Sequence, residues 1–233
     1  MMLRPCRVPV WAVAALAAAG VAAATVTVAA APPDTALERY LNGLDSLSAA
    51  FTETVTDGHG TQVDAGSGQL LVQRPGKFRW DYTPNSAGSK SGGQAKDAQL
   101  GQVLVADGRN LWFYDRELAQ VTVKPVEAAL SATPIMLLSG SSAQLHDSFE
   151  ISGEGAHDGL DWVGVRPRSS EADFSHAALG FAGERLARMV VNDRLGQTVE
   201  LDFSHTERNG HIDAKALQFV PPAGADVIGT PQG

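Results

Sequence analysis

The stretch Gln73-Arg74-Pro75-Gly76-Lys77-Phe78-Arg79-Trp80-Asp81-Tyr82 decides the fold class. From Lys77 onward the residues alternate: Phe78, Trp80 and Tyr82 fall on one side, Lys77, Arg79 and Asp81 on the other. A period of two sends these sets to opposite faces of a strand, one buried and one wet. That is the pattern of an antiparallel sheet covered on a single face. Pro75-Gly76 ends the strand before it, Gln69–Arg74.

Working outward, the same grammar recurs. In Ala50–Thr56, Phe51 and Val55 share a face, and Asp57-Gly58 with His59-Gly60 supplies a turn. Val103–Ala106 and Asn110–Tyr114 flank Asp107-Gly108 as a hairpin, and Gln120–Lys124 runs to Pro125. After a break come Phe149–Ser152, Asp161–Arg166, Phe174–Phe181, Arg185–Asn192, Gln197–His205 and Ala216–Phe219. Short strands at even spacing predict an antiparallel meander. Residues 84–102, polar and rich in Gly and Ser, read as a flexible loop insertion between two strands.

Helical signals are few. Thr35-Ala36-Leu37-Glu38 is a capping box, and Leu37, Tyr40, Leu41, Leu44 and Leu47 follow helical spacing behind it, predicting a helix over 35–45. Val126–Leu130 is short and helix-like. Thr133-Pro134 then offers an N-cap and a proline at the first helical position, followed by Ile135, Met136, Leu137 and Leu138 and a stop at Gly140. A helix apolar all round must cover something. The expected fold is therefore mostly β: a curved antiparallel sheet forming an incomplete β-barrel, with a lid of a few α-helices and an apolar interior between them.

The N-terminus reads as a targeting segment. Arg4 and Arg7 precede an alanine-rich apolar run ending at Val28-Ala29-Ala30, so residues 1–30 are expected to be a cleavable signal peptide and 31–233 a single exported domain. A retained membrane anchor is the competing reading of the same run. Without Arg4 and Arg7 the chain keeps 16 basic and 26 acidic residues, a net charge of −10, which leaves no footprint for nucleic acid. Cys6 is the only cysteine and lies ahead of the apolar run, so the mature chain would lack thiol and disulfide chemistry.

Catalytic motifs are missing: there is no nucleophile elbow, zinc-protease helix or phosphate-binding loop. The six histidines are scattered and read as surface residues, with no metal or cofactor implied. Asp193, Glu200 and Asp202 could form an acid pair, but alternation sends Glu200 and Asp202 to the solvent face. Phe78, Trp80 and Tyr82 with Leu111 and Phe113 read either as sheet core or as a ligand wall. Arg74, ending a strand before Pro-Gly, could be a solvated cation or a donor fork for the carbonyls at a helix end.

At these residues the chain resembles the periplasmic outer-membrane lipoprotein carrier family, LolA. The resemblance lies in F-T-E-T-V-T-D-G (51–58), Q-R-P-G-K-F-R-W (73–80), V-A-D-G (105–108), L-W-F-Y (111–114), T-P-I-M-L-L (133–138) and F-V-P-P-A-G (219–224), spread over about residues 35–228. It implies an incomplete barrel with a helical lid and a non-catalytic chaperone of lipoproteins. Such a carrier binds their acyl chains after release from an inner-membrane ATP-binding-cassette (ABC) exporter and delivers them to an outer-membrane receptor lipoprotein. By position, Arg74 is implied to latch the lid through backbone carbonyls, one supplied at Leu41. Ile135–Leu138 is implied to be the lid helix, and Phe78 an aromatic at the cavity mouth. Leu44, Phe51, Trp80 and Phe113 join Phe78 as candidates for the acyl cavity or its mouth. Ser139 stands where the family pattern is small and apolar. A monomer is the default for a shuttle. The alternatives are a carrier of another acylated envelope lipid with the same fold, the family's receptor, or an exported hydrolase.

Overall fold

The computed structural model describes residues 35–85, 101–126, 135–140, 142–170 and 172–233. The proposed signal peptide, most of the 84–102 loop, residues 127–130 and Thr133-Pro134 lie outside the described residues.

The short helix α1 (Ala36–Leu41) opens the described chain, and its capping box is formed: Thr35 Oγ1 accepts from Glu38 N while the Glu38 carboxylate accepts from Thr35 N at 2.6 Å. The helix stops four residues earlier than its spacing suggests. Gly43 turns the chain with φ +70° and Leu44 packs in the turn, so Leu47 belongs to the first strand, not to the helix.

Six strands follow: β1 (Ser46–Thr56), β2 (Gln62–Gln73), β3 (Lys77–Pro84), β4 (Gln102–Asp107), β5 (Asn110–Asp115) and β6 (Gln120–Pro125). Among the described residues, two short helices come next, α2 (Met136–Ser139) and α3 (Ser142–Ser148). Then β7 (Phe149–His157), β8 (Leu160–Pro167), β9 (Phe174–Ala182), β10 (Arg185–Asp193) and β11 (Thr198–Arg208) complete a second meander. Ala216–Phe219 does not form the strand its sequence suggests. Instead Ala214–Leu217 is a turn of 3₁₀ helix, capped by the Asp213 side chain on Lys215 N, and the last strand is β12 (Asp226–Ile228).

All twelve strands form one sheet in the order β12-β6-β5-β4-β3-β2-β1-β11-β10-β9-β8-β7. Every pair is antiparallel except β12 on β6. The two meanders join where β1 meets β11, and the ends at β12 and β7 do not meet, so the barrel is incomplete. The sheet is strongly curled. Five strand spacings separate β4 from β10, about 24 Å on a flat sheet, yet Leu104 of β4 and Met189 of β10 line the same small cavity.

β2 extends seven residues ahead of its sequence reading, because Asp64-Ala65-Gly66-Ser67-Gly68 looks like a turn. The glycines serve packing there. A Cβ on Gly68 would collide with the ring of Phe51, and one on Gly66 with that of Tyr82. Missing side chains let two aromatic rings lie on the strand.

β6 and β7 stand near opposite ends of the sheet, and between them in the chain comes α2, which packs on the concave side. Ile135, Met136, Leu137 and Leu138 are buried in one cluster with Leu47, Leu70, Val72 and Phe78 from the first meander and Val163, Leu179 and Phe181 from the second.

Candidate functional site

The β2–β3 turn is fastened to the lid. Arg74 donates from Nε at 3.1 Å and Nη2 at 2.7 Å to the carbonyl of Gly140, which ends α2. From Nη1 it donates at 2.6 Å to the carbonyl of Leu41, which ends α1. The backbone adds Gly76 N to Ser139 O at 2.8 Å and Arg74 N to Asp45 O at 2.8 Å. One planar guanidinium thus serves the C-terminal carbonyls of two helices, groups that have no partner inside their own helices and that attract a cation. Burial lowers the Arg74 pKa and nearby Asp45 works against that fall. The side chain remains a cation. Glu38 of α1 and His146 of α3 meet at 3.0 Å, a second polar link between helices. Burial pushes the Glu38 carboxyl up, but hydrogen bonds from Thr35 and His146 outweigh it and leave the pKa lowered.

Behind this fastening lies a cavity of about 220 Å³. Glu53, Trp80 and Leu104 wall it from the first meander and Met189, Val191, Val199 and Leu201 from the second, with Ile135 contributing from the lid segment. The wall is apolar apart from Glu53. Pockets for small ligands run to roughly 300–1,000 Å³, so this space is small and would have to widen for a long chain.

Residues 42–89 and 95–220 match the family model of the outer membrane lipoprotein carrier protein LolA. The outer-membrane lipoprotein carrier protein of Methylococcus capsulatus is 36% identical, over 84% of this chain and 87% of that protein. The protein of that name from Methylibium petroleiphilum is 37% identical over 94% and 97%, and that from Chromobacterium violaceum 35% over 91% and 95%. The chain belongs to the LolA family.

Several sequence candidates of this LolA-family chain occupy other places than a cavity wall. Of Leu44, Phe51, Phe78, Trp80 and Phe113, only Trp80 lines the cavity. Phe51 stacks on Trp80 with centroids 3.8 Å apart, as support from below the wall. Leu44 and Phe78 are sealed in the core; Phe78, at 0% exposed, sits at no opening in this closed form. Phe113 shares the concave face through the register Trp80–Leu104–Phe113, but it lies beyond the cavity and is 36% exposed. Ser139 is 0% exposed, and its hydroxyl bonds within its own turn, to Met136 O at 3.4 Å.

Glu53 is a cavity residue that the sequence reading misses. The register pairs Phe51 with Gly68, Glu53 with Gly66 and Val55 with Asp64, so Glu53 stands between two apolar residues on the concave face. Burial pushes its carboxyl up to about 7, with the Asp64 carboxylate adding to the rise. The signal is present in F-T-E-T-V, where the period that joins Phe51 to Val55 also places Glu53 with them. Glu200 and Asp202, by contrast, do face outward on β11 and pair with Arg188.

Proposed function

We propose that this protein is a periplasmic carrier of lipoproteins, holding their acyl chains between sheet and lid without covalent chemistry. The observation that supports it best is an apolar cavity walled by both meanders and by Ile135, the residue that leads into a helix whose end is held by one arginine. Each methylene removed from water is worth about 0.8 kcal/mol, so an acyl chain needs cover to cross an aqueous space. Cover must also be given up at the far side. Opening the lid would break the Arg74 bonds to Gly140 O and Leu41 O, at about 1.5–3 kcal/mol for each bond to a charged group. That cost is set against cargo burial, lowers net affinity and favours transfer to a receptor that has no such latch.

On this reading residues 1–30 direct export and are removed, and 31–233 work as one monomeric carrier domain. An inner-membrane ABC exporter loads it and an outer-membrane receptor lipoprotein unloads it. Arg74 with Leu41 forms the latch, Ile135–Leu138 the moving cover, and Leu44, Phe51, Phe78, Trp80 and Phe113 the surfaces an opened cavity would offer. The relatives' names support lipoproteins over other acylated lipids.

The test adds the purified protein to spheroplasts of its own organism during lipoprotein synthesis. Lipoproteins should appear in the supernatant bound one-to-one to it. Arg74→Leu should still load but fail to release. No lipoprotein release by the unaltered protein, with an active exporter, would overturn the reading and send the search to other acylated lipids in the natively purified protein.

A further inference from the structure

Among the described residues, Glu53 is the single ionisable side chain lining the cavity. No hydrogen bond or ion pair reaches its carboxylate among the described residues, whereas other carboxylates on the sheet are matched. Asp81 holds Arg79 and Arg116, Asp202 and Glu200 hold Arg188, and Glu154 holds His176. The charge that acts on Glu53 is a second carboxylate, Asp64, which accepts from the Tyr82 hydroxyl at 3.1 Å. The other described elements around the cavity present apolar side chains to it: Met189 and Val191 from β10, Val199 and Leu201 from β11, Ile135 from the lid segment.

An uncompensated acid in an apolar wall costs folding free energy. Its effect on a ligand depends on the ligand's head. An acyl chain carries little identity, because a free fatty acid, an anionic phospholipid and an acylated protein all present the same methylenes. They differ where the chain is attached: the first two carry a carboxylate or phosphate, the last a neutral ester or amide. Selection by chain burial alone would let the first two compete. Specificity is a difference of affinities, and placing a like charge against the wrong ligand creates one. Repulsion between two anions is several times stronger in a poorly hydrated cavity than in water.

From this geometry, and resting on the carrier reading above, we infer that Glu53 is a charge filter: it makes the cavity reject acyl ligands with an anionic head and admit those with a neutral or cationic one. Because the carboxyl titrates near pH 7, with Asp64 the facing acid and the Tyr82 hydroxyl the facing polar group, the filter strengthens as pH rises from 6 to 8.

The experiment measures displacement of an apolar fluorescent dye from the purified protein by three ligands of equal chain, decanoate, decanol and decylammonium. At pH 8 Glu53→Gln should raise the affinity for decanoate about tenfold, equivalent to ~1.4 kcal/mol, while decanol stays within twofold. In the unaltered protein the preference for decanol over decanoate should widen from pH 6 to pH 8, which needs no variant to fold. A decanoate affinity indifferent to both the substitution and pH overturns the inference while the carrier reading stands. Failure of all three ligands to displace the dye removes the acyl cavity itself, and the inference with it.

Discussion

The two faces of the first meander are covered by different means, the convex face over β4, β5 and β6 and the concave face over β2, β3 and β4. On the convex face Val103, Val105, Trp112, Val121 and Val123 form a small second core, closed by Phe219 and Ala225 of the C-terminal tail. Rings fill it: Trp112 and Tyr114 lie 5.6 and 6.0 Å from Phe219. Its edges are tied by Asp107 to Trp112 Nε1 at 2.8 Å and by reciprocal bonds between Asn110 and Gln232. On the concave face the cover is α2, held at its end by Arg74, and a cavity lined by Glu53 adjoins it at Ile135. A face packed to density has no second arrangement of similar energy. The concave cover joins four buried apolar side chains to a few polar bonds and stands next to a void, so on the carrier reading the convex closure is the permanent one and the concave closure the reversible one.

The largest effect should come from emptying the packed side. Trp112→Ala removes a buried ring and its bond to Asp107. A cost of about 3–5 kcal/mol is expected. For a chain of this size that lowers Tm by on the order of 10 °C, read by calorimetry. Dye binding by the folded fraction should be unchanged, since Trp112 points away from the cavity. A variant that lost binding while keeping its Tm would break the division of labour between the faces.

Second comes the unpaired acid. The folded-state pKa of Glu53 is raised to about 7 from 4.5, so the folded chain holds this proton more tightly than the unfolded one. Its contribution to stability is fully present below about pH 4.5 and is lost as pH rises through 7. Glu53→Gln removes that loss. It should be nearly neutral at pH 4 and stabilising at pH 8 by about 3 kcal/mol at most, since each tenfold difference in proton affinity between the folded and unfolded chain is worth ~1.4 kcal/mol. Denaturant melts at the two pH values check it, and equal effects at both would show that Glu53 is solvated in the folded state.

How much of this is legible in the sequence follows from which residues carry local signals. The strand pattern of Lys77–Tyr82 and the capping box at Thr35 are local, and both are realised where the sequence places them. β2 reads short because Gly66 and Gly68 imitate a turn while making room for the rings of Tyr82 and Phe51, a partnership visible only in three dimensions. The 3₁₀ turn at Ala214–Leu217 imitates a strand because Leu217 is buried by its tail's path, not by alternation. The candidate site divides in the same way. Arg74 is visible as a cation placed before Pro-Gly, but its partners are carbonyls of residues 33 and 66 positions away. Glu53 lies between Phe51 and Val55 in plain alternation; what no sequence shows is that, among the described residues, no cation comes back to meet it.

The closure itself is sharpened by Arg74→Lys. An ammonium keeps the charge but cannot span Gly140 O and Leu41 O with one planar fork. One of the two ties should go. The amides of Leu138 and Gly140, now bonded inside the lid turn, should exchange about tenfold faster, the equivalent of ~1.4 kcal/mol. Amides in β4 and β5 should not respond. If they loosened together, the two faces would form one cooperative unit and the contrast between them would fail.

The smallest effect is expected at Ser139, where the lid is polar but the closure does not depend on it. The side chain is wholly buried, and its hydroxyl reaches only Met136 O at 3.4 Å and Met136 Sδ at 3.8 Å. Ser139→Ala leaves no acceptor stranded, because Met136 O still receives Gly140 N at 2.9 Å. The tie across the lid edge also survives, since it uses the Ser139 carbonyl and Gly76 N. Alanine has the better helix propensity by a few tenths of a kcal/mol, and a buried hydroxyl is removed with its weak bond. The two small terms should leave stability within about 0.5 kcal/mol and lid exchange rates within twofold. Hydrogen exchange on Ser139→Ala beside Arg74→Lys therefore separates polarity in the lid from fastening of the lid. Equal loosening in both variants would place the hydroxyl in the closure and remove Arg74 from its central position.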